Sequence, residues 1–393
     1  MPDPPRLRIV VPRFAPEIVG GVETHMRRLA ASLAGRGWQV DVWSTTAVDE
    51  ATWEGNLPQR AETANGVSVQ RFPVARRRRP WLFHQASRAL FRLPVALRPE
   101  HAWLCAQGPY SPSLVRALAG SGSTPTLFIP YLYHPTVYGL PVAPHPRVLI
   151  PAAHPERPLH LRSVGRMIAA ADVIWFSSHE EQELVEGAHP VARRIPSAVG
   201  NMGVEPRHGD AGRFRATTGI AGPFLLYGGR MTAGKGADIL LEGFRRLQQA
   251  KPDARLVLAG DRRPDAAQPG VIALGRLDDD TWAGAMAAAA AVVVPSPLES
   301  LSLLALEAWA DGRPALLNAG SPVLRGHARR GGGALTFGTA AELAAAAERL
   351  LDDAALADGL GAAGRAYVLA NFRWDDVVNR LDGLLAAARE RSA

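Results

Sequence analysis

Two segments of the sequence combine residue types that could bind a phosphorylated ligand. The first, residues 227–236, reads YGGRMTAGKG and places two cations, Arg230 and Lys235, in a glycine-rich turn. It follows a short apolar run and precedes apolar residues at helical spacing over 237–249, so we expect it to join a strand to a helix. Glycine allows the main chain to approach a diphosphate closely, and the two cations would balance its charge.

The second segment, residues 295–308, reads PSPLESLSLLALEA and places the carboxylates of Glu299 and Glu307 around the predicted start of a helix. A predicted apolar strand over 291–294 precedes it. Free backbone N–H groups at a helix N-terminus would face an anion, and carboxylates accept hydrogen bonds from vicinal hydroxyls. Together the two segments predict a site for a sugar nucleotide.

The arrangement resembles that of the retaining glycosyltransferases of GT-B fold, glycosyltransferase family 4 (group 1). These transferases have an Arg and Lys turn followed by a Glu, seven residues and a second Glu. Further segments resemble the family in the same order and extend the resemblance over most of the chain: VGGVETH at 19–25, IPAAH at 150–154, AADVIWFSS at 170–178 and NMGVE at 201–205.

The resemblance implies a role for each matching residue. Arg230 and Lys235 would hold the diphosphate and the charge on the leaving group, and Glu299 would hold hydroxyls of the transferred sugar. His154 would contact that sugar near its reacting face, which completes the catalytic set. The residues implied in donor binding are Gly20, Gly21, Gly229, Leu277, Ser302, Leu303 and Glu307.

Among the donor-binding residues, Glu307 would bind the ribose hydroxyls, and Leu277 ends a turn that would border the nucleobase. The backbone of Ser302 and Leu303 would support the phosphates from the helix N-terminus. Gly20 and Gly21 would close over the phosphates from the other domain.

The chain departs from the family pattern at three places, one of which is the segment 318–330, where the usual Gly-Leu-Pro-Glu turn is absent. It lacks the acidic residue that usually precedes Lys-Gly, and Ser300 and Ser302 replace the commoner glycines around the first Glu. The Asp-X-Asp string at 278–280 resembles a metal motif of another transferase fold, but it precedes an Ala-rich helix, so we interpret it as an N-cap. We expect no metal and no cofactor apart from the donor substrate.

The fold class that follows is α/β, with two Rossmann-like domains facing across a cleft and a C-terminal helix that crosses back to the first domain. The chain of 393 residues, 47% of them hydrophobic, is long enough for two such domains. We expect a first, acceptor-side domain over 1–196 together with 372–393. We expect a second, nucleotide-sugar-binding domain over 197–371.

A single cysteine, Cys105, excludes an internal disulfide and favours a reducing compartment. No stretch reaches the ~18 apolar residues of a membrane span, so we expect a cytoplasmic protein, either free or peripheral on the inner face of the membrane. The net charge of +7 is concentrated in residues 76–92, RRRRPWLFHQASRALFR. Its Trp81, Phe83, Leu90 and Phe91 could rest on an anionic bilayer, or the segment could be a solvated loop before an ordinary amphipathic helix. No nucleic-acid-binding module accompanies the charge.

Three functions compete. A retaining hexosyltransferase, with a nucleotide sugar as donor and a glycan, lipid-linked or small-molecule acceptor, explains all the motifs. A sugar-nucleotide epimerase or a phosphorylase would need a different acidic or lysine-cofactor site, for which the sequence offers no candidate. A catalytically silent relative acting as a binding or scaffold subunit would be expected to lose one of Arg230, Lys235, Glu299 or Glu307, and all four are present.

Overall fold

The computed structural model describes residues 4–18, 20–62, 66–260 and 268–392. The chain divides into two compact units: Met1–Met202 with Trp374–Ala393, and Gly203–Arg373. Each unit is built around its own sheet, so each is described by itself.

The described residues of the first unit form an eight-stranded sheet in the order β3-β4-β2-β1-β5-β6-β7-β8. Every pairing is parallel except that of β3 with β4. The strands are β1 (Arg6–Val10), β2 (Gln39–Thr45), β3 (Arg60–Glu62), β4 (Ser68–Phe72), β5 (Thr126–Phe128), β6 (Arg147–Leu149), β7 (Val173–Phe176) and β8 (Ser197–Val199).

Helices connect these strands and cover the sheet. They are α1 (Gly21–Gly35), α2 (Pro80–Leu90), α3 (Glu100–Gln107), α4 (Pro112–Ala119), α5 (His134–Gly139), α6 (Arg162–Ala169) and α7 (His179–Ala188).

The second unit is a six-stranded sheet over its described residues, all parallel, in the order β11-β10-β9-β12-β13-β14. The strands are β9 (Phe224–Gly228), β10 (Arg255–Ala259), β11 (Val271–Gly275), β12 (Ala291–Val294), β13 (Ala315–Asn318) and β14 (Ala334–Phe337). The helices are α8 (Ala211–Thr218), α9 (Ala237–Ala250), α10 (Asp279–Ala288), α11 (Leu303–Ala310), α12 (Pro322–Gly331), α13 (Ala340–Asp352) and α14 (Ala354–Asn371).

Both faces of the second sheet are buried, which explains its uninterrupted apolar strands. Along β9, Leu225 and Tyr227 enter one apolar cluster and Phe224 and Leu226 the other. Successive side chains of a strand point to opposite faces, so a strand covered on both sides needs apolar residues at every position. The sheet is therefore a rigid support whose loops alone are available to a ligand.

The last helix, α15 (Trp374–Ser392), belongs to the first unit and packs against β6, β7 and β8. The chain thus returns to its first sheet after completing the second, as the sequence predicted. The strand β8 falls after the expected domain boundary at 196, yet it pairs with β7, and the first unit continues to Met202.

Candidate functional site

In the second sheet the strand order reverses between β9 and β12. The chain runs outward from β9 to β11 and then starts again on the other side with β12. Loops that follow two such neighbouring parallel strands diverge and leave a crevice at the carboxyl end of the sheet, where open α/β sheets bind ligands. Both segments singled out in the sequence, 227–236 and 295–308, begin at this crevice.

Close backbone contact joins the two segments. Gly236 has φ 76°, and a Cβ there would lie 2.1 Å from the carbonyl oxygen of Pro295. Only glycine satisfies both the left-handed conformation and the contact. Gly229, with φ 144°, also has a conformation that favours glycine. These glycines let the turn after β9 lie directly against the chain that leaves β12.

Two predicted catalytic side chains meet across this contact. The Nζ of Lys235 lies 3.0 Å from Oε1 of Glu299. The Lys235 side chain is 35% exposed and that of Glu299 15%, so the pair is accessible from the crevice. The site thus presents a cationic donor and a carboxylate acceptor side by side.

Tyr227 fixes the backbone at Arg230. Its buried hydroxyl donates a hydrogen bond of 2.9 Å to the Arg230 carbonyl oxygen. Burial, and after it the charge of Glu299, raises the pKa of Tyr227 well above its usual value, so this hydroxyl stays protonated. The Arg230 side chain itself is exposed.

Helix α11 starts from a strained residue. Ser302 caps it with φ 73° and ψ 80°, in the left-handed region. That conformation costs a non-glycine residue about 1–2 kcal/mol, and such outliers persist mainly at functional sites. Leu303 is the first helical residue, so its backbone N–H belongs to the unbonded first turn.

Glu307 lies one turn further along α11 and is held by residues that sequence reasoning missed. Trp282 Nε1 donates to Glu307 Oε2 at 3.2 Å, and Arg207 Nη2 lies 3.5 Å from Oε1. The Trp282 ring also packs on β9, where a Cβ on Gly228 would come within 2.4 Å of it. Leu277 lies partly buried against the same apolar cluster as Trp282.

Arg207 has additional partners that fix its position. Its Nη1 donates to Asp279 at 3.2 Å, and its backbone N–H donates to Asp311 at 2.7 Å. The neighbouring Asp278 accepts a hydrogen bond from the Thr281 backbone N–H and caps α10, which confirms the N-cap interpretation.

The remaining predicted residues, Gly20, Gly21 and His154, belong to the first unit. Gly20 caps α1 with extended backbone, and a Cβ there would lie 2.2 Å from Oε2 of Glu23. Glycine at this position therefore leaves room for the Glu23 carboxylate. By contrast, a Cβ on Gly21 would meet no atom within 4 Å.

A buried carboxylate, Glu181, holds the loop that carries His154. It accepts hydrogen bonds from the backbone N–H of Ala153 (2.6 Å) and of Ser177 (2.5 Å), which tie this loop to the end of β7. Burial raises the pKa of Glu181 to about 7. The loop also contains Ala152 at φ 50°. No sequence motif drew attention to Glu181, although it lies three residues after the Ser-Ser pair that follows β7.

The basic segment 76–92 exposes only part of the apolar set that the bilayer interpretation of the sequence requires. Leu90 is buried, and Phe83 and Phe91 each pack on Trp103 with ring centroids 5.5 Å apart. Leu90 therefore does not face a bilayer, while Phe83 and Phe91, which are half-buried, place part of their rings against Trp103 of α3. Trp81, in contrast, is 71% exposed.

Within the described ranges, no group of three or more His, Cys, Asp or Glu side chains is arranged to hold a metal ion. The helices of the same ranges include none with the length and apolarity needed to cross a membrane.

Two family models match the chain in succession. Residues 20–197 match the "Glycosyl transferase 4-like domain", and residues 222–353 match "Glycosyl transferases group 1". The chain belongs to the family 4 glycosyltransferases of GT-B fold. The second match spans both segments of the crevice, and the first begins at Gly20.

Curated relatives of this glycosyltransferase extend over most of its length. It is 25% identical to a glycogen synthase of Mycobacterium tuberculosis over 412 residues, covering 98% of this chain and 95% of that protein. It is 29% identical to a D-inositol 3-phosphate glycosyltransferase of Frankia alni over 337 residues, covering 75% and 76%.

Solved structures show the same fold. Sucrose-phosphate synthase from Thermosynechococcus elongatus superposes with a TM-score of 0.72 at 20% identity, covering 97% of this chain and 98% of that chain. HepE from Anabaena, determined with UDP and glucose, gives 0.70 at 16% identity, covering 97% and 99%.

Proposed function

We propose that this glycosyltransferase moves a hexose from a nucleoside diphosphate sugar to a glycan, lipid-linked or small-molecule acceptor with retention of anomeric configuration. The observation that carries the proposal is the accessible Lys235–Glu299 pair at the strand-order reversal of the second sheet. A sugar nucleotide has a diphosphate next to a sugar that carries several hydroxyls. Lys235 can bind the diphosphate, and Glu299 can accept hydrogen bonds from the hydroxyls.

The diphosphate would lie against the turn after β9 and the start of α11. Lys235 and Arg230 would balance its charge, the open approach at Gly229 would let it near the main chain, and the first N–H groups of α11, at Ser302 and Leu303, would donate to it. Glu299 would accept hydrogen bonds from hydroxyls of the transferred sugar.

The nucleoside would lie on the Glu307 side of the crevice. Vicinal ribose hydroxyls suit the Glu307 carboxylate, whose oxygens Trp282 and Arg207 hold in place. Leu277, at the end of the turn after β11, would border the base. This arrangement separates the two carboxylates by role: Glu299 for the sugar and Glu307 for the ribose.

In the proposed reaction the bond between the sugar C1 and the phosphate oxygen breaks, and a bond from C1 to the acceptor oxygen forms on the same face. The acceptor's proton passes to the departing phosphate oxygen, so no protein nucleophile is needed. Arg230 and Lys235 would stabilise the negative charge that develops on the leaving diphosphate. Such electrostatic stabilisation of the transition state is the largest contribution to the rate enhancement of many enzymes. The charge of these two side chains lets the reaction proceed without a metal ion.

His154, Gly20 and Gly21 would act from the first unit. His154 would contact the transferred sugar near C1, and its loop is held by Glu181 through Ala153. Gly20 and Gly21, at the N-terminus of α1, would approach the donor phosphates as backbone without side chains.

The relatives support this substrate class. One relative is named as a glycogen synthase and another as a D-inositol 3-phosphate glycosyltransferase, and HepE was solved with UDP-glucose. The experiment is to incubate the protein with sugar nucleotides of several bases and a panel of acceptors, without metal. Release of nucleoside diphosphate with an α-linked product from an α-linked donor, assigned by NMR, is the expected result. A β-linked product would overturn retention, and donor binding without transfer to any acceptor would favour the silent binding subunit.

A further inference from the structure

Exposed apolar side chains are concentrated in one short segment of the first unit. Of the nine large apolar side chains that are exposed among the described residues, five lie within residues 81–97, so their distribution is not scattered. They are Trp81, Leu82, Leu93, Val95 and Leu97, with Trp81 71% and Leu97 69% exposed. Single exposed apolar residues are ordinary, but a contiguous group marks an interaction surface.

A cavity of about 520 Å³ opens next to this segment. Arg98, Arg162 and Arg166 line it, together with Glu100 and Tyr138. Arg98 directly follows Leu97 and its Nε donates to the Leu93 carbonyl oxygen at 3.1 Å, and Arg162 Nη2 donates to the Ala96 carbonyl oxygen at 3.3 Å. Residues 93–97 of the apolar segment therefore border the cavity.

The cavity carries an excess of positive charge. Glu100, its one acidic lining residue, is engaged at the start of α6: it accepts from the Arg162 and Ser163 backbone N–H groups at 3.0 and 2.8 Å and from the Ser163 hydroxyl at 2.7 Å. Arg162 Nε also lies 3.7 Å from Glu100 Oε1, so one guanidinium group is paired with this carboxylate, and Arg98 and Arg166 supply the excess charge. Guanidinium groups bind phosphate oxygens in a bidentate manner, so a phosphate is the anion that suits this cavity best.

We propose that this surface binds the anionic face of a phospholipid bilayer, with a lipid headgroup phosphate in the arginine-lined cavity and the 81–97 side chains inserted among the acyl chains. A soluble phosphate ligand would use the arginines but would leave the apolar residues in water. A lipid satisfies both, because its phosphate and its hydrocarbon are covalently joined. Arginines beside exposed aromatic and aliphatic residues are typical of interfacial binding.

This proposal does not rest on the proposed function, since it concerns residues of the first unit that no step of transfer uses. It also differs from the bilayer contact considered from the sequence. Leu90 is buried and Phe83 and Phe91 are half-buried, whereas Leu93, Val95 and Leu97 are exposed and Arg162 and Arg166 line the cavity.

The test is cosedimentation of the full-length protein with phosphatidylcholine vesicles, with and without phosphatidylglycerol. We expect binding only to the anionic vesicles, and we expect this binding to weaken as salt screens the charges.

The double variant Arg162→Gln/Arg166→Gln should bind about fivefold more weakly per arginine. Its control is Arg116→Gln, at an exposed arginine on α4, which should bind as wild type. Leu97→Ser should lose about fourfold for each methylene withdrawn from lipid, and Val191→Ser, an exposed valine elsewhere in the unit, should lose nothing.

Thermal unfolding of each variant, compared with wild type, shows that it is folded, and nucleoside diphosphate binding, measured in parallel, reports separately on the second unit. Equal binding to neutral and anionic vesicles would overturn the proposal, as would cavity variants that behave like their controls. A calorimetric titration with inorganic phosphate completes the test. Phosphate binding that depends on Arg162 and Arg166, without any binding to vesicles, would assign the cavity to a soluble phosphate and overturn the lipid assignment.

Discussion

The two sheets reverse strand order in the same way but place their charges differently. In the first sheet, Arg13 follows β1 and contacts Glu23 at 2.5 Å and Glu50 at 3.1 Å, with only 8% of its side chain exposed. In the second, Lys235 follows β9 and contacts Glu299 at 3.0 Å with 35% exposed. One reversal therefore buries its cation between two carboxylates, and the other leaves its cation open to a ligand.

The difference shows how one topology can serve stability in one place and binding in another. A buried cation whose neighbours are already carboxylates is costly to remove, because the carboxylates are then left without compensation. A partly exposed pair contributes little to stability because water screens it. The side chains of the second pair are thus available to bind a donor at a small cost to folding.

The largest effect is expected for the buried cation at the reversal of the first sheet, Arg13. Arg13→Ala should lower the free energy of unfolding by about 3–5 kcal/mol, since it removes the ion-pair partner of the buried Glu23 carboxylate. Glu50, whose side chain is 32% exposed, keeps its hydrogen bond from the Tyr133 hydroxyl. Arg77→Ala is the control, because Arg77 pairs with Glu54 on the surface with 72% and 50% of the side chains exposed. It should cost less than about 1 kcal/mol. Chemical denaturation measures both, and equal losses for the two variants would remove the contrast.

At the reversal of the second sheet, Lys235→Ala should lower kcat/KM for the sugar nucleotide by about 10²–10³-fold, because it removes a group that stabilises charge in the transition state. Its free energy of unfolding should change by less than about 1 kcal/mol. The other lysine, Lys251, forms a comparable ion pair with Asp352 outside the crevice and is the matched control. Wild-type turnover in Lys235→Ala, or a similar loss in Lys251→Ala, would contradict the assignment.

Glu181 provides a pH-dependent test of the first unit. Because burial raises its pKa from an ordinary value of 4.5 to about 7, its stability contribution is full below pH 4.5 and is lost as the pH rises through 7. Relative to Glu181→Gln, the wild type should therefore lose up to about 3 kcal/mol of unfolding free energy between pH 4.5 and 8. Denaturation curves at several pH values measure this difference. A difference that does not change with pH would show that the pKa of Glu181 is not raised in the folded protein.

The smallest effect concerns strain at α11. Ser302→Gly should raise the free energy of unfolding by about 1 kcal/mol by relieving the left-handed conformation. Ser300, which does not have a positive φ, is the control, and Ser300→Gly should be neutral or destabilising. A loss of stability in Ser302→Gly would show that its hydroxyl matters more than the strain.

Much of the second unit could be predicted from the sequence, because its elements are determined by residues that are neighbours in the chain. Apolar runs marked β9 and β12, helical spacing marked α9, and Gly236 marked a turn that only glycine can form. The sequence also predicted that the two segments form one site, and the structure places Lys235 against Glu299, because neighbouring strands bring their loops to one edge. The resemblance to family 4 placed the same residues in one site.

The parts that sequence reasoning missed depend on distant contacts. Arg207 reaches Glu307 across 100 residues of chain, and no periodic pattern reports such a partner. The role of Glu181 in holding the His154 loop depends on its burial, which the sequence pattern does not report. The amphipathic pattern of α2 was correct, but a pattern does not tell which neighbour covers an apolar face, and here Trp103 covers it.

The central claim is that the open Lys235–Glu299 crevice binds the diphosphate of the donor. The most direct test is calorimetric titration of wild type and Lys235→Ala with UDP, GDP, ADP and dTDP, first without metal and then with magnesium. We expect one diphosphate to bind the wild type without metal and to lose most of its affinity in Lys235→Ala. Binding that is unchanged in Lys235→Ala, or the absence of binding by every diphosphate, would contradict the account.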